Sequence, residues 1–153
     1  MTTYNRIVLA SRPQGEVAPS NFRLETATVP ALKDGEVLVR NHYLSLDPYM
    51  RMRMEDVKSY AAPQAIGETM IGGTVGEVVE SRNPKFAARD KVVGMFGWSE
   101  MGVSDGMMLR PVDASRIPAS LLERFVGSGE EAAFALLRFL APITTRARSP
   151  VDG

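Results

Sequence analysis

Up to about residue 112 the chain is a succession of short β-rich runs with turn residues between them, and this punctuation restricts the folds open to it. The runs are "RIVLA" at 6–10, "FRLETATV" at 22–29, "EVLVRNHYLSL" at 36–46, "GTVGEVVES" at 73–81, "KVVGMFGW" at 91–98 and "MLRPV" at 108–112. Glycine, proline and an Asp34-Gly35 turn separate them, and no long helix alternates with them. That pattern predicts a mainly β chain, a closed or partly open barrel with short helices rather than a doubly wound sheet. In "FRLETATV" the residues Phe22, Leu24, Thr26 and Thr28 share one face, which is expected to meet the core. Val37 and Val39 alternate with Leu38 and Arg40, which reads as a half-buried strand.

After residue 118 the character changes. "PASLLERFVGSGEEAAFALLRFLAP" contains two helical pieces; Ser120 is placed to cap the first, and Ser128 with Glu131 forms a capping-box spacing for the second. Phe134, Leu137 and Leu140 would then make an apolar stripe that needs a surface to cover. The sequence therefore divides into a barrel domain at 1–120, a helical segment at 121–143 and a disordered tail at 144–153.

Charge and composition exclude several classes of function. Eighteen basic and 18 acidic residues cancel, so no broad field draws the chain to nucleic acid or to an anionic membrane. There is no cysteine, and His42 is the single histidine, so a zinc site would need a nearly all-carboxylate donor set that zinc seldom accepts. The N-terminus "MTTYNRIVLA" lacks a secretory pattern and no apolar run is long enough to span a bilayer. A cytoplasmic location with a small-molecule or protein partner is the expectation.

The stretch "YLSLDPYMRMRM" at 43–54 is where a strand meets something else. Asp47 before Pro48 signals the N-cap and first position of a short helix, which puts Tyr49 and Met50 in its first turn. A single turn cannot bury Met50, Met52 and Met54 on one face, so some methionine is expected at the surface. Tyr49 could plug a barrel end, with Arg51 and Arg53 as solvated charges; its hydroxyl could equally hold a carbonyl oxygen or relay a proton. The cluster "GETMIGGTVG" at 67–76 is not a phosphate loop, since it lacks the Gly-Lys-Ser/Thr ending and a following helix. Its glycines read as strand bulges or barrel corners.

Four segments together, "NRIVLASRPQGEVAPSNFRLE", "LSLDPYMRMRM", "IGETMIGGTVGEVVES" and "VVGMFGWSEMGVSDG", resemble the N-terminal, GroES-like domain of the zinc-free medium-chain dehydrogenases and reductases. The resemblance runs from about Asn5 to Ser120 and is to the leukotriene and prostaglandin reductases, the plant alkenal double-bond reductases and the curcumin-reductase-like enzymes. It implies a GroES-like partly open barrel forming one wall of a substrate cleft, beside a Rossmann domain that binds NADP(H) and that is absent from this chain. The implied reaction is reduction of the C=C bond of an α,β-unsaturated ketone or aldehyde, without metal.

By the resemblance, Tyr49 is the catalytic, carbonyl-facing tyrosine, with Met50, Gly73 and Trp98 as further substrate-binding positions. Zinc-dependent relatives carry a cysteine near Ser45 and a histidine near Gly72, and this chain has neither. Plant members have a tyrosine in the segment matching 72–74, where this chain has Gly72, Gly73 and Thr74, so the pocket is expected to be wider or finished differently. Met101 stands where a tyrosine is common, and Arg89-Asp90 replaces a usual Gly-Asp turn. These 153 residues alone are expected to be catalytically incompetent, and the resemblance leaves a homodimer open. The alternative is a stand-alone barrel that binds or oligomerises through the helix at 129–140.

Overall fold

Strand β1 (Thr3–Leu9) and strand β2 (Phe22–Thr28) form an antiparallel pair that aligns Thr3 with Thr28 and Leu9 with Phe22. Between them a single 3-10 turn, Pro19–Asn21, is set by the buried Asn21. Its Oδ1 accepts from the Ala18 N–H at 2.8 Å and its Nδ2 donates to Ser11 Oγ at 3.1 Å. The chain continues through β3 (Val37–Leu44), a short helix α1 (Tyr49–Arg53), β4 (Thr74–Ser81), β5 (Lys91–Gly94), β6 (Met101–Ser104) and β7 (Arg110–Val112). These five later strands make one antiparallel sheet in the order β6-β3-β4-β5-β7. The computed structural model describes residues 1–57 and 62–112. The helices expected between 118 and 142, their apolar stripe, the boundary at 120 and the tail at 144–153 lie outside the described residues.

The second edge of β1 joins the two sheets. Ile7 N–H donates to the Trp98 carbonyl at 2.8 Å and Glu100 N–H to the Asn5 carbonyl at 3.0 Å. On the same edge Met70 N–H reaches the Ile7 carbonyl at 2.9 Å and Leu9 N–H the Glu68 carbonyl at 3.2 Å. Because β1 is paired on both sides, Ile7, Val8 and Leu9 are all buried, and the sheets curl into the mainly β, partly open barrel that the punctuation predicted.

Two strands differ from their expected burial. Leu24 is 54% exposed, and Thr26 and Thr28 are exposed too, so of that face of β2 only Phe22 packs inward. Among the described residues β2 pairs with β1 alone, and none of them covers the rest of this face. In β3 the alternation fails the other way, since Val37, Leu38 and Val39 are all buried. Val37 and Val39 enter a cluster with Val78, Phe86, Val92 and Leu109, while Leu38 is covered on the opposite face by Leu32 and Met101.

Strand β6 is not among the runs read as strands from the sequence. Its pairing with β3, from Val37 with Ser104 to Arg40 with Met101, makes it a strand. The run at 91–98 conversely ends its strand at Gly94, and Gly97 follows with a φ of 71°. The glycine at 76 is not itself bulged but faces a bulge in β3: the register shifts between Asn41 and Tyr43, leaving His42 as the extra residue, and a Cβ at Gly76 would lie 2.3 Å from the Arg40 carbonyl oxygen.

Arg89, in the turn before β5, has a φ of 78° and is the only described non-glycine residue with positive φ. A Cβ in the left-handed region costs about 1–2 kcal/mol, partly offset by the greater chain entropy that glycine loses on folding. Arg89→Gly is therefore expected to stabilise the domain by about 0.5–1 kcal/mol. Urea unfolding checks this, and an unchanged or lower midpoint would contradict it.

Candidate functional site

Helix α1 is held where β3 ends. Ser45 N–H donates to the Gly73 carbonyl at 2.8 Å, and Ser45 Oγ donates to Asp47 Oδ2 at 2.9 Å. The helix begins one residue later than the Asp-Pro signal implied: Pro48, with φ −55° and ψ −30°, is the N-cap. Asp47 still contributes through its backbone, its carbonyl accepting from Met50 N–H at 3.0 Å.

One turn of helix sorts the methionines as its geometry requires. Met50 and Met54 are 3% and 4% exposed, whereas Met52 is 59% exposed. The two buried ones join a cluster of Ile7, Leu9, Leu46, Met70 and Trp98, against which Phe22, Leu44 and Tyr49 pack half-buried. The arginines between them are not simply solvated charges. Arg51 Nη2 donates to the Gly15 carbonyl at 2.8 Å and its Nη1 pairs with Glu55 at 2.9 Å. From the other side Arg12 Nη1 donates to the Met54 carbonyl at 2.8 Å. Charge-assisted bonds of this kind hold more firmly than neutral ones, so the 11–18 segment and α1 hold each other.

The structure brings the sequence-derived candidates to one apolar cluster. Tyr49, Met50 and Trp98 share one cluster, and Gly73 is buried beside it with its carbonyl on Ser45. Met50 and Trp98 are almost fully covered, at 3% and 4% exposure. The wider pocket expected from glycines at 72 and 73 is not present at Gly72. A Cβ on Gly72 would lie 2.8 Å from Leu44 Cδ1, 3.1 Å from Met50 Cε and 3.4 Å from Trp98 Cδ1. These side chains fill the space at Gly72. Met101, which stands where a tyrosine is common, lies in a separate cluster with Leu32 and Leu38. Sequence reasoning missed Phe22, which stacks on Trp98 with ring centroids 5.1 Å apart and 30° between planes.

Perturbed charges lie outside this cluster. Hydrogen bonds from Arg23 and Arg6 hold the Glu25 carboxyl below its ordinary value. A hydrogen bond from Lys91 does the same for Glu77. Burial, then the Lys91 charge, pushes the His42 imidazole down.

Among the described residues no group of His, Asp and Glu could hold a metal ion, and no helix is long and apolar enough to cross a membrane. Nor do they cradle a dinucleotide: Gly72 and Gly73 lead into β4, not into a helix N-terminus.

A family model described as the N-terminal domain of oxidoreductase matches residues 5–112. The chain belongs to this family. The oxidoreductase domain is 52% identical over 101 residues to an NADPH-dependent curcumin reductase of Escherichia coli K12, covering 66% of this chain and 29% of that protein. It is 44% identical over 133 residues to a putative NADP-dependent oxidoreductase, YfmJ, of Bacillus subtilis 168, covering 86% of this chain and 39% of that protein. The crystal structure of CurA from Vibrio vulnificus in complex with NADPH superposes with a TM-score of 0.67 at 46% identity, covering 70% of this chain and 32% of that one. The chain thus spans about a third of the length of these relatives, and they confirm the resemblance to the medium-chain reductases and its GroES-like fold.

Proposed function

We propose that this domain is the substrate side of an NADPH-dependent reductase that saturates the C=C bond of α,β-unsaturated ketones and aldehydes. The observation that carries the reading is the position of Tyr49. It opens α1 half-buried against an apolar cluster, in a domain 52% identical to a curcumin reductase over 101 residues. A phenol at the edge of an apolar wall is suited to a flat, conjugated carbonyl compound, whose body is apolar and whose oxygen needs one donor.

A nicotinamide cofactor supplies the hydride chemistry when bound, and the described residues supply the wall. In this reading the Tyr49 hydroxyl donates to the carbonyl oxygen, which becomes an enolate oxygen when the β-carbon receives hydride. Protonation of the α-carbon then gives the saturated carbonyl product. Residues 1–120 form the substrate-side domain, 121–143 lead toward the nucleotide-binding domain, and the enzyme works in the cytoplasm without metal.

The test is product analysis with the enzyme in which this domain is paired with its nucleotide-binding domain. Given NADPH and benzylideneacetone, a small aryl enone, it is expected to release the saturated ketone. An allylic alcohol, or no consumption of NADPH with any enone, would overturn the reading.

A further inference from the structure

Trp98 carries a feature that the packing of the domain does not explain. Its indole Nε1 is buried and has no hydrogen-bond partner among the described residues, in a side chain only 4% exposed. Buried donors are nearly always paired, so an orphan calls for a reason. The ring is not free to seek an acceptor by itself. Phe22 stacks on its face, Trp98 N–H donates to the Met70 carbonyl at 2.8 Å, and its carbonyl accepts from Ile7 at 2.8 Å. An acceptor must therefore come to the ring.

The approach runs over Gly72. Nε1 is bonded to Cδ1, and Cδ1 lies 3.4 Å from the point that a Gly72 Cβ would occupy. The same point is 3.1 Å from Met50 Cε and 2.8 Å from Leu44 Cδ1. No side chain at 72 stands there; Leu44 and Met50 fill the space instead, and of the two Met50 is the unbranched side chain that changes rotamer readily. Tyr49 packs against the same cluster as Met50 and Trp98.

We propose that the Trp98 indole N–H is a second donor for the substrate's carbonyl oxygen, covered in the free domain by Met50 and uncovered when the ligand displaces that side chain. The proposal rests on the enone reading and deepens it. It makes Met50 a gate and Gly72 the position whose missing side chain keeps the path open. It also gives selectivity for ligands with an acceptor, since a hydrocarbon of the same shape would leave the donor unpaired.

The chain contains a single tryptophan, so an isotope-labelled sample gives one indole N–H resonance that reports this donor without cofactor or turnover. Titration with benzylideneacetone is expected to move that resonance downfield, while its carbonyl-free counterpart, butenylbenzene, leaves the proton unpaired and does not. Met50→Ala, which removes the cover, is expected to bind benzylideneacetone about fivefold more tightly. If that variant fails to fold, the comparison of the two ligands on the unaltered chain still decides. Binding seen in backbone amide resonances with the indole unmoved, or moved equally by both ligands, overturns the proposal and leaves the enone reading standing. Absence of binding by every resonance overturns the donor and the domain's place as the substrate side together.

Discussion

Replacing Tyr49 with phenylalanine in the NADPH-dependent enzyme is expected to lower kcat for an aryl enone by about a hundredfold, with the NADPH Kd unchanged. The substitution removes one hydroxyl and keeps the ring that packs against Met50, Trp98 and their neighbours, so the loss would report hydrogen bonding and not collapse of the wall. A donor aimed at the oxygen where charge develops acts mainly on the chemical step, so kcat falls more than KM changes. Steady-state kinetics with several enones, alongside a fluorescence titration of NADPH, check it. Rates unaltered across the enones would reduce Tyr49 to packing.

The second large effect is structural. Gly97→Ala is expected to destabilise the domain by about 3 kcal/mol, combining about 1–2 kcal/mol for a Cβ in the left-handed region with about 1–3 kcal/mol for overpacking. Gly97 has a φ of 71°, and its added Cβ would stand 2.2 Å from the Met70 carbonyl oxygen. That oxygen is the acceptor for Trp98 N–H, and Gly97 N–H itself donates to the Gly72 carbonyl at 2.9 Å. The clash falls on the strand crossing that seats the indole. At about 2–4 °C per kcal/mol for a chain of this size, the melting temperature is expected to drop by about 6–12 °C. Gly15→Ala separates the two causes: φ is 84° there, but nothing lies within 4 Å of the added Cβ, so about 1 kcal/mol from strain alone is expected. Equal losses at both positions would show that backbone strain, not the contact with Met70, sets the effect.

The barrel was legible because its signals are local. β-rich runs and turn residues announce strands, and Asp47-Pro48 announced a helix start to within one residue. What escaped depends on partners distant in sequence. Strand β6 has little strand character until β3 pairs with it. Leu24 looks like core until β2 proves to have one neighbour. Leu38 looks like surface until Leu32 and Met101 cover it.

The site was legible in identity more than in geometry. The motif "DPYMRMRM" drew attention to Tyr49 and Met50, and the structure puts both with Trp98 in one cluster. Nothing local foretold that Leu44 and Met50 would fill the space over Gly72, or that Phe22, paired with Leu9 in the first hairpin, would stack on Trp98. Those contacts follow from the double pairing of β1, which draws 67–70 and 98–100 to the same edge.

The most direct test of the central claim is where hydrogen from the cofactor ends up. With the enzyme containing this domain, NADPH deuterated at the transferable position and benzylideneacetone, the account predicts deuterium at the β-carbon of a saturated ketone, read by NMR of the product. Deuterium on the former carbonyl carbon, in an alcohol with its C=C bond intact, would contradict it.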